Sequence, residues 1–300
     1  MSSTLQSPAV KIPRQGYFSN PWRKPRFLQA TTLLYLMWSL LPVLIAVLFS
    51  FNDGRSRSAW QGFSMRWWTA DPTDSLLHDA AIRTAMLQTF KLAIITVLIA
   101  VPLGTLFAIG IDRWHGRPAR AANFTMLLSF VVPEIILGVS LYILFTNLLA
   151  GTVTLGTNAQ LLGLTAFQLS YPFIIVRARL LSIGSEYEQA AMDLGASPSQ
   201  AIRRVLLPLL APAILASVAL VFADCVDDFV TVAALSGPAS SETLAQKIYS
   251  AARSSPTPEV NAAATMMLIT TLLVIGGGLI FYKRVNRGQD TGGAAEFVQL

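Results

Sequence analysis

Ser185-Glu-Tyr-Glu-Gln-Ala-Ala-Met-Asp-Leu-Gly195, continued by Ala196-Ser-Pro-Ser-Gln-Ala-Ile-Arg-Arg-Val-Leu-Leu-Pro208, is a short polar passage between two strongly apolar runs. Ser185 and Glu188 have the spacing of a capping box, in which serine accepts from the third backbone N–H and glutamate reaches back. Gly195 suits the left-handed residue that stops a helix. Between them the spacing predicts a helix of about nine residues, roughly 13 Å long at 1.5 Å per residue. Ser197-Pro198-Ser199-Gln200 starts a second helix, with serine as cap, proline at the first position and glutamine closing a second box. Ala190, Ala191 and Leu194 form a face of small residues on which a partner can approach the backbone. So carefully capped a helical hairpin between apolar runs marks a place where something docks.

The rest of the chain says that the hairpin hangs from a membrane. Of 300 residues, 53% are hydrophobic and only 13% charged, whereas soluble domains carry roughly a quarter charged residues. Crossing the hydrocarbon core takes about 20 apolar residues. Runs of that kind lie at 27–51, 84–111, 124–149, 161–181, 209–235 and 262–282. Six spans follow, so the fold class is an all-α polytopic membrane protein. The first run is too long for a signal-peptide core and reads as a retained span.

Most of the 22 basic residues fall on one side of these spans. Lys11, Arg14, Arg23, Lys24 and Arg26 precede the first, and Arg113, Arg117 and Arg120 follow the second. Arg177, Arg179, Arg203 and Arg204 flank the hairpin, and Lys283, Arg284 and Arg287 follow the last span. By the positive-inside rule both termini and the hairpin are cytoplasmic. The net charge of +6 is then accounted for by topology and lipid anchoring, and nucleic-acid binding is set aside. Residues 1–26, with Pro8, Pro13, Pro21 and Pro25 and no apolar periodicity, read as a disordered basic tail. Residues 27–283 form the membrane domain, with the hairpin at 185–208, and 284–300 a second tail. Trp60, Phe63, Trp67 and Trp68, in the loop on the other side, read as interfacial anchors. His78 and His115 fall on opposite sides and cannot share a metal, and Cys225 stands alone in an apolar run.

Carboxylates inside the spans carry the chemistry. One at the bilayer centre costs about 2.5–3.5 kcal/mol on insertion scales, so it normally faces a cavity or a partner. Glu134 lies in the third run, next to Pro133, and Asp224, Asp227 and Asp228 lie in the fifth. Spacings of three and four put the three aspartates on one helical face. Counted along an unbroken helix, Asp227 is roughly 12 Å below the outer end. Such a row would attract a polyvalent cation. Gly276-Gly277-Gly278 and Ala262-Ala263-Ala264 in the last run read as close-packing surfaces.

Gln189-Ala190-Ala191-x-x-x-Gly195, then Val205-x-Leu207-Pro208, resembles the EAA motif of permease subunits of ATP-binding cassette (ABC) importers. Gln189 stands where that motif usually has glutamate, with Glu188 just before it. The resemblance implies the type I permease fold and a coupling helix, Glu188, Gln189, Ala190, Ala191, Asp193, Leu194 and Gly195, seated on an ATPase subunit. It also implies two ATPase subunits that bind the ATP, a second permease, an extracellular or periplasmic solute-binding protein, and residence in the bacterial inner membrane. Asp227-Asp228-Phe229-Val230, Leu235-Ser236-Gly237-Pro238, Lys247-Ile248-Tyr249-Ser250 and Pro258-Glu259-Val260-Asn261-Ala262 are similar to the second permease of spermidine/putrescine importers. That implies polyamines as the solute and Glu134, Asp224, Asp227 and Asp228 along its path.

The chain has no G-x-x-x-x-G-K-[ST] loop, so energy must come from another chain. It also shows no metal-ligand cluster and no nucleophile–base pairing, which argues against a membrane enzyme. Two alternatives remain at this level: the same machine for another solute (an organic cation, a phosphonate or an opine), and a proton-coupled transporter using the acids as a relay.

Overall fold

The apolar runs become helices because a backbone in hydrocarbon must satisfy its own hydrogen bonds. A computed structural model describes residues 26–285, apart from 57–58, 115 and 255–257. The predicted tails, His115 and Arg287 lie outside the described residues, except Arg26 and the last turn of the final helix. The chain divides into two units at Ile45/Ala46. Helix α1 (Arg26–Phe49) supplies the described part of the first. Thr31 Oγ1 and Ser39 Oγ bond back to the carbonyls of Phe27 and Leu36, at 2.9 and 3.0 Å, so neither hydroxyl is left unsatisfied.

In the second unit a central helix, α2 (Ala80–Arg113), starts on an aspartate cap. Asp79 accepts from the N–H groups of Ala81 and Ile82 at 2.6 and 3.1 Å. Then come α3 (Arg117–Val131), α4 (Glu134–Ile143), α5 (Thr157–Gln168) and α6 (Ser170–Ile183). The hairpin helices α7 (Glu186–Asp193) and α8 (Pro198–Ala201) lead through a wide turn, Ile202–Leu206, into α9 (Leu207–Asp227). A short α10 (Val230–Ala234), α11 (Leu244–Ser254) and α12 (Pro258–Val285) complete the chain. Among the described residues there is no strand, only an isolated bridge between Asn52 and Phe63. Among them, too, five helical segments are long and apolar enough to cross a bilayer: 27–49, 80–113, 157–183, 198–227 and 258–280.

The third run departs from the expected single span. It is a bent pair, Arg117–Val131 and Glu134–Leu148, with 106° between its halves. Pro133 has no N–H to donate, and it drives Val132 to extended dihedrals, φ −64° and ψ 128°. The fifth run is also shorter than expected. Its helix stops at Asp227, and Asp228 turns the chain with ψ 114°.

Helix α2 packs against α5, α6 and α9. At the hairpin end Ala108 and Ile111 meet Phe173, Val176 and Leu180 of α6 and Leu206 and Leu210 at the head of α9. Further along, Ala93 and Val101 face Val221, Phe222 and Cys225. At the opposite end Trp67, fully buried, packs with Ile82, Met86, Ala262 and Ala263. Its Nε1 donates to the Asn52 carbonyl at 2.6 Å, and Trp68 Nε1 to the Ser50 carbonyl at 3.2 Å. Trp67 is therefore a core residue and not an interfacial anchor, whereas Trp60 and Phe63 stay exposed.

Glycine matters most where α2 crosses α6. A Cβ on Gly104 would lie 2.5 Å from Pro172 Cγ and 2.9 Å from the Leu169 carbonyl oxygen. Gly276, Gly277 and Gly278, expected to pack closely, have no atom of their unit within 4 Å of such a Cβ. Gly104→Val is therefore expected to cost about 1–3 kcal/mol of stability through overpacking. Gly277→Ala is expected to stay within about 0.5 kcal/mol. Thermal unfolding of both variants in one detergent checks the contrast.

Candidate functional site

The two breaks bring the intramembrane acids together. Glu134 opens α4 directly after the bend, half-buried, where the helix N-terminus favours a negative charge. It lies within electrostatic range of Asp224 and Asp227 on the last turn of α9. Asp224 is half-buried, and its Oδ2 accepts from Gln168 Nε2 at 2.5 Å. Tyr171 stands beside Asp224, ringed edge-on by Phe130 at 5.5 Å and Phe167 at 6.0 Å. Asp227 is exposed, and its side chain has no hydrogen-bond or ion-pair partner among the described residues. Glu134 and Asp224 thus lie beside an aromatic cluster, with Asp227 within electrostatic range of both.

Asp228 does something else. The expectation of one face for Asp224, Asp227 and Asp228 fails because Asp228 has left the helix. Buried at 7% exposure, its Oδ1 accepts from the N–H groups of Thr231 and Val232 at 2.9 and 3.4 Å. It caps α10. The carbonyl of Val232 is met by Gln160 Nε2 at 3.0 Å, which also serves the Ser241 carbonyl at 3.0 Å. Gln88 Nε2 donates in turn to Gln160 Oε1 at 3.2 Å and to Thr157 Oγ1 at 2.9 Å. Sequence reading missed this amide relay and Gln168. The available signal was two glutamines eight residues apart, on one helical face of an apolar run. Asp228→Ala is expected to lower stability by about 1 kcal/mol through loss of the cap, and Asp228→Asn to retain it. Thermal unfolding in detergent distinguishes the two.

The hairpin forms at its predicted place with one cap changed. Ser197 Oγ accepts from Gln200 N–H at 3.4 Å, and Gln200 Oε1 accepts from Ser197 N–H at 3.0 Å, which completes the second capping box. Gly195 takes φ +90°, and the Ala196 N–H closes onto the Ala191 carbonyl at 3.0 Å. The first box does not form. Ser185 instead receives the Gln189 amide at 3.2 Å, and Glu188 turns inward to pair with Arg113 at the end of α2. The reason is electrostatic, since an arginine across the fold outbids a backbone N–H for a carboxylate. Gln189, Ala190, Asp193 and Gly195 stay exposed, Leu194 almost completely at 91%, and Ala191 is half-buried. The side chain of Glu188 is 11% exposed and that of Arg113 35%, so the pair is partly screened. A double-mutant cycle with Arg113→Ala and Glu188→Ala, read by thermal unfolding, is expected to give a coupling of about 0.5–1 kcal/mol.

A helical membrane unit with broken spans, a buried polar relay and a capped hairpin is the build of a transport subunit. The family of binding-protein-dependent transport system inner membrane components matches residues 100–290, and the chain belongs to that family. It is 32% identical over 251 residues to the putrescine transport system permease protein PotI of Escherichia coli (strain K12), covering 82% of this chain and 85% of the relative. To the spermidine/putrescine permease PotC of Haemophilus influenzae it is 33% identical over 242 residues, covering 80% and 91%. Among solved structures, a bacterial ABC transporter involved in import of the acidic polysaccharide alginate superposes with TM-score 0.69, at 17% identity, over 87% of this chain and 96% of that one. The methionine transporter MetNI superposes with TM-score 0.54, at 20% identity, over 69% and 94%. These structural likenesses bear on the fold alone.

Proposed function

We propose that this chain is the permease subunit of an ABC importer that carries polyamines across the inner membrane. The observation that carries the reading is the meeting of Glu134 with Asp224 and Asp227 at two helix breaks, the first two of these acids beside Tyr171. Ammonium groups pair with carboxylates through charge-assisted hydrogen bonds, and aromatic faces attract them further. Gln168 Oε1, on the side chain that donates to Asp224, is a buried acceptor without a partner among the described residues, and it suits a donor arriving along the path. The PotI and PotC relatives, named for putrescine and spermidine, support the solute class.

In this reading two ATPase subunits bind the ATP, and this chain holds no cofactor of its own. Gln189, Ala190, Ala191, Asp193, Leu194 and Gly195 are the face offered to an ATPase on the cytoplasmic side, while Glu188 ties that face to α2 from behind. Closure of the ATPases drives the hairpin, and α9, continuous with α8 through the wide turn, carries the displacement to Asp224 and Asp227. A second permease completes the path, and a binding protein delivers solute from outside. Both termini lie with the hairpin in the cytoplasm.

Labelled putrescine and spermidine uptake is the test, with and without the chain and with and without ATP depletion. ATP-dependent uptake is expected to vanish with the chain. Asp227→Asn is expected to lower it about tenfold, the order of one lost charge-assisted bond, with an unchanged unfolding temperature. Uptake that survives ATP depletion and collapses with the proton gradient would overturn the reading in favour of a proton relay. Transport at the normal rate by both Gly195→Pro and Ala191→Phe would remove the hairpin from coupling.

A further inference from the structure

At the hairpin end, between α2, α3 and α6, the surface holds an open pocket of about 320 Å³ whose lining includes the exposed Arg120 of α3 and the half-buried Arg177 of α6. Neither arginine has an ion-pair partner among the described residues. The Arg177 guanidinium lies 5.8 Å from the Phe173 ring centroid, and its Nε is buried without an acceptor. Asp112 is the acid in the lining, and its carboxylate is held at 2.8 Å by Arg113. Arg113 also pairs with Glu188, so these three arginines and two carboxylates leave one net positive charge, and Arg177 is partly withdrawn from water without an anion of its own. Such a charge is costly until an anion meets it.

The remaining lining suggests which anion. Trp114, 54% exposed, stands just past the end of α2 as its C-cap, where an indole suits the level of lipid headgroups. Asn123, one turn beyond Arg120, also lines the cavity and contributes a buried amide oxygen that has no donor. A phosphate diester with a hydroxylated headgroup offers an anion for the arginines and an O–H for that oxygen. A zwitterionic choline headgroup supplies no such donor. Basic pockets between spans on the cytoplasmic side are suited to anionic headgroups.

We propose that this cavity is a binding site for the headgroup of an anionic phospholipid, its phosphate held by Arg120 and Arg177 and its hydroxyl by Asn123. The site sits where α2 and α3 turn toward the hairpin, so an occupying lipid fastens those helix ends. The inference rests on the sidedness given under Proposed function, but its test measures lipid binding and needs no transport. Failure of polyamine uptake therefore leaves the lipid result standing, and the reverse holds as well.

The full chain in mild detergent is titrated with labelled phosphatidylglycerol and with the matching phosphatidylcholine, with inorganic phosphate as competitor. Phosphatidylglycerol is expected to bind at least about tenfold more tightly. Each arginine at an anionic surface is worth about fivefold, so R120Q/R177Q is expected to weaken phosphatidylglycerol roughly thirtyfold. R203Q/R204Q, the same charge loss at the same end but outside the cavity, is expected to leave it unchanged. Should the double variant fail to fold, Asn123→Asp tests the site at constant size, because its carboxylate competes with the phosphate for the arginines. Equal binding of the two lipids, or undiminished binding by R120Q/R177Q or Asn123→Asp, overturns the proposal. Displacement of the lipid by millimolar phosphate would make this a free-anion site and overturn the lipid assignment. A protein that co-purifies in place of any lipid preference would overturn it too.

Discussion

A backbone amide inside a bilayer has no water to bond with, so each place where a span stops early must be supplied from within the protein. Here the fifth run stops at Asp227, and the supply comes from side chains. Asp228 serves the N–H groups of Thr231 and Val232, and Gln160 serves two carbonyls, of Val232 and Ser241. Gln88, from α2, bonds to Gln160 in turn. The irregular chain from 228 to 241 is thus tolerated at depth because α2 and α5 hold its polar groups. The same irregularity exposes Asp227 and brings Asp224 near Glu134, so the proposed path for a cation depends on the relay behind it.

Much of this was legible beforehand. The positions of five spans, the hairpin, its glycine stop and its second capping box follow from apolar length and cap chemistry, which act over a few residues. Glu134 and Asp224 stood out because charge is rare among apolar neighbours. What could not be read depends on partners distant in the chain. Glu188 has a local cap at Ser185 within reach, yet it pairs with Arg113. Asp228 fits a continuous helical face, yet the helix ends before it. Pro133 signalled a kink, but a bend of 106° depends on what receives α4, here α10. Trp67 has the composition of an interfacial aromatic, and only the packing of Ala262 and Ala263 shows it to be buried.

The hairpin has two faces with separate tasks. One is held by Glu188 and by the apolar residues at the head of α9, Leu206 and Leu210, against α2 and α6. The other presents Leu194 and the small residues of α7 outward. Where α2 meets α6 at Gly104 the backbones lie too close for any intervening side chain, so the two helices act as one stiff support. In the proposed coupling, a push on the outward face has a firm seat to act against, and the continuous run from Pro198 to Asp227 is the element that carries it.

The contact between Arg113 and Glu188 joins residues 75 apart. A chain emerging from its N-terminus places α2 long before α7 exists, so the guanidinium waits until the fourth span has been threaded back and forth. Only a correctly crossed α5–α6 pair returns Glu188 to the side where Arg113 ends. Inversion of the fourth span relative to the second would leave the carboxylate and the guanidinium on opposite surfaces of the bilayer. The ion pair therefore forms only where the second and fourth spans end on the same surface of the bilayer, and it marks their relative orientation before the last two spans exist.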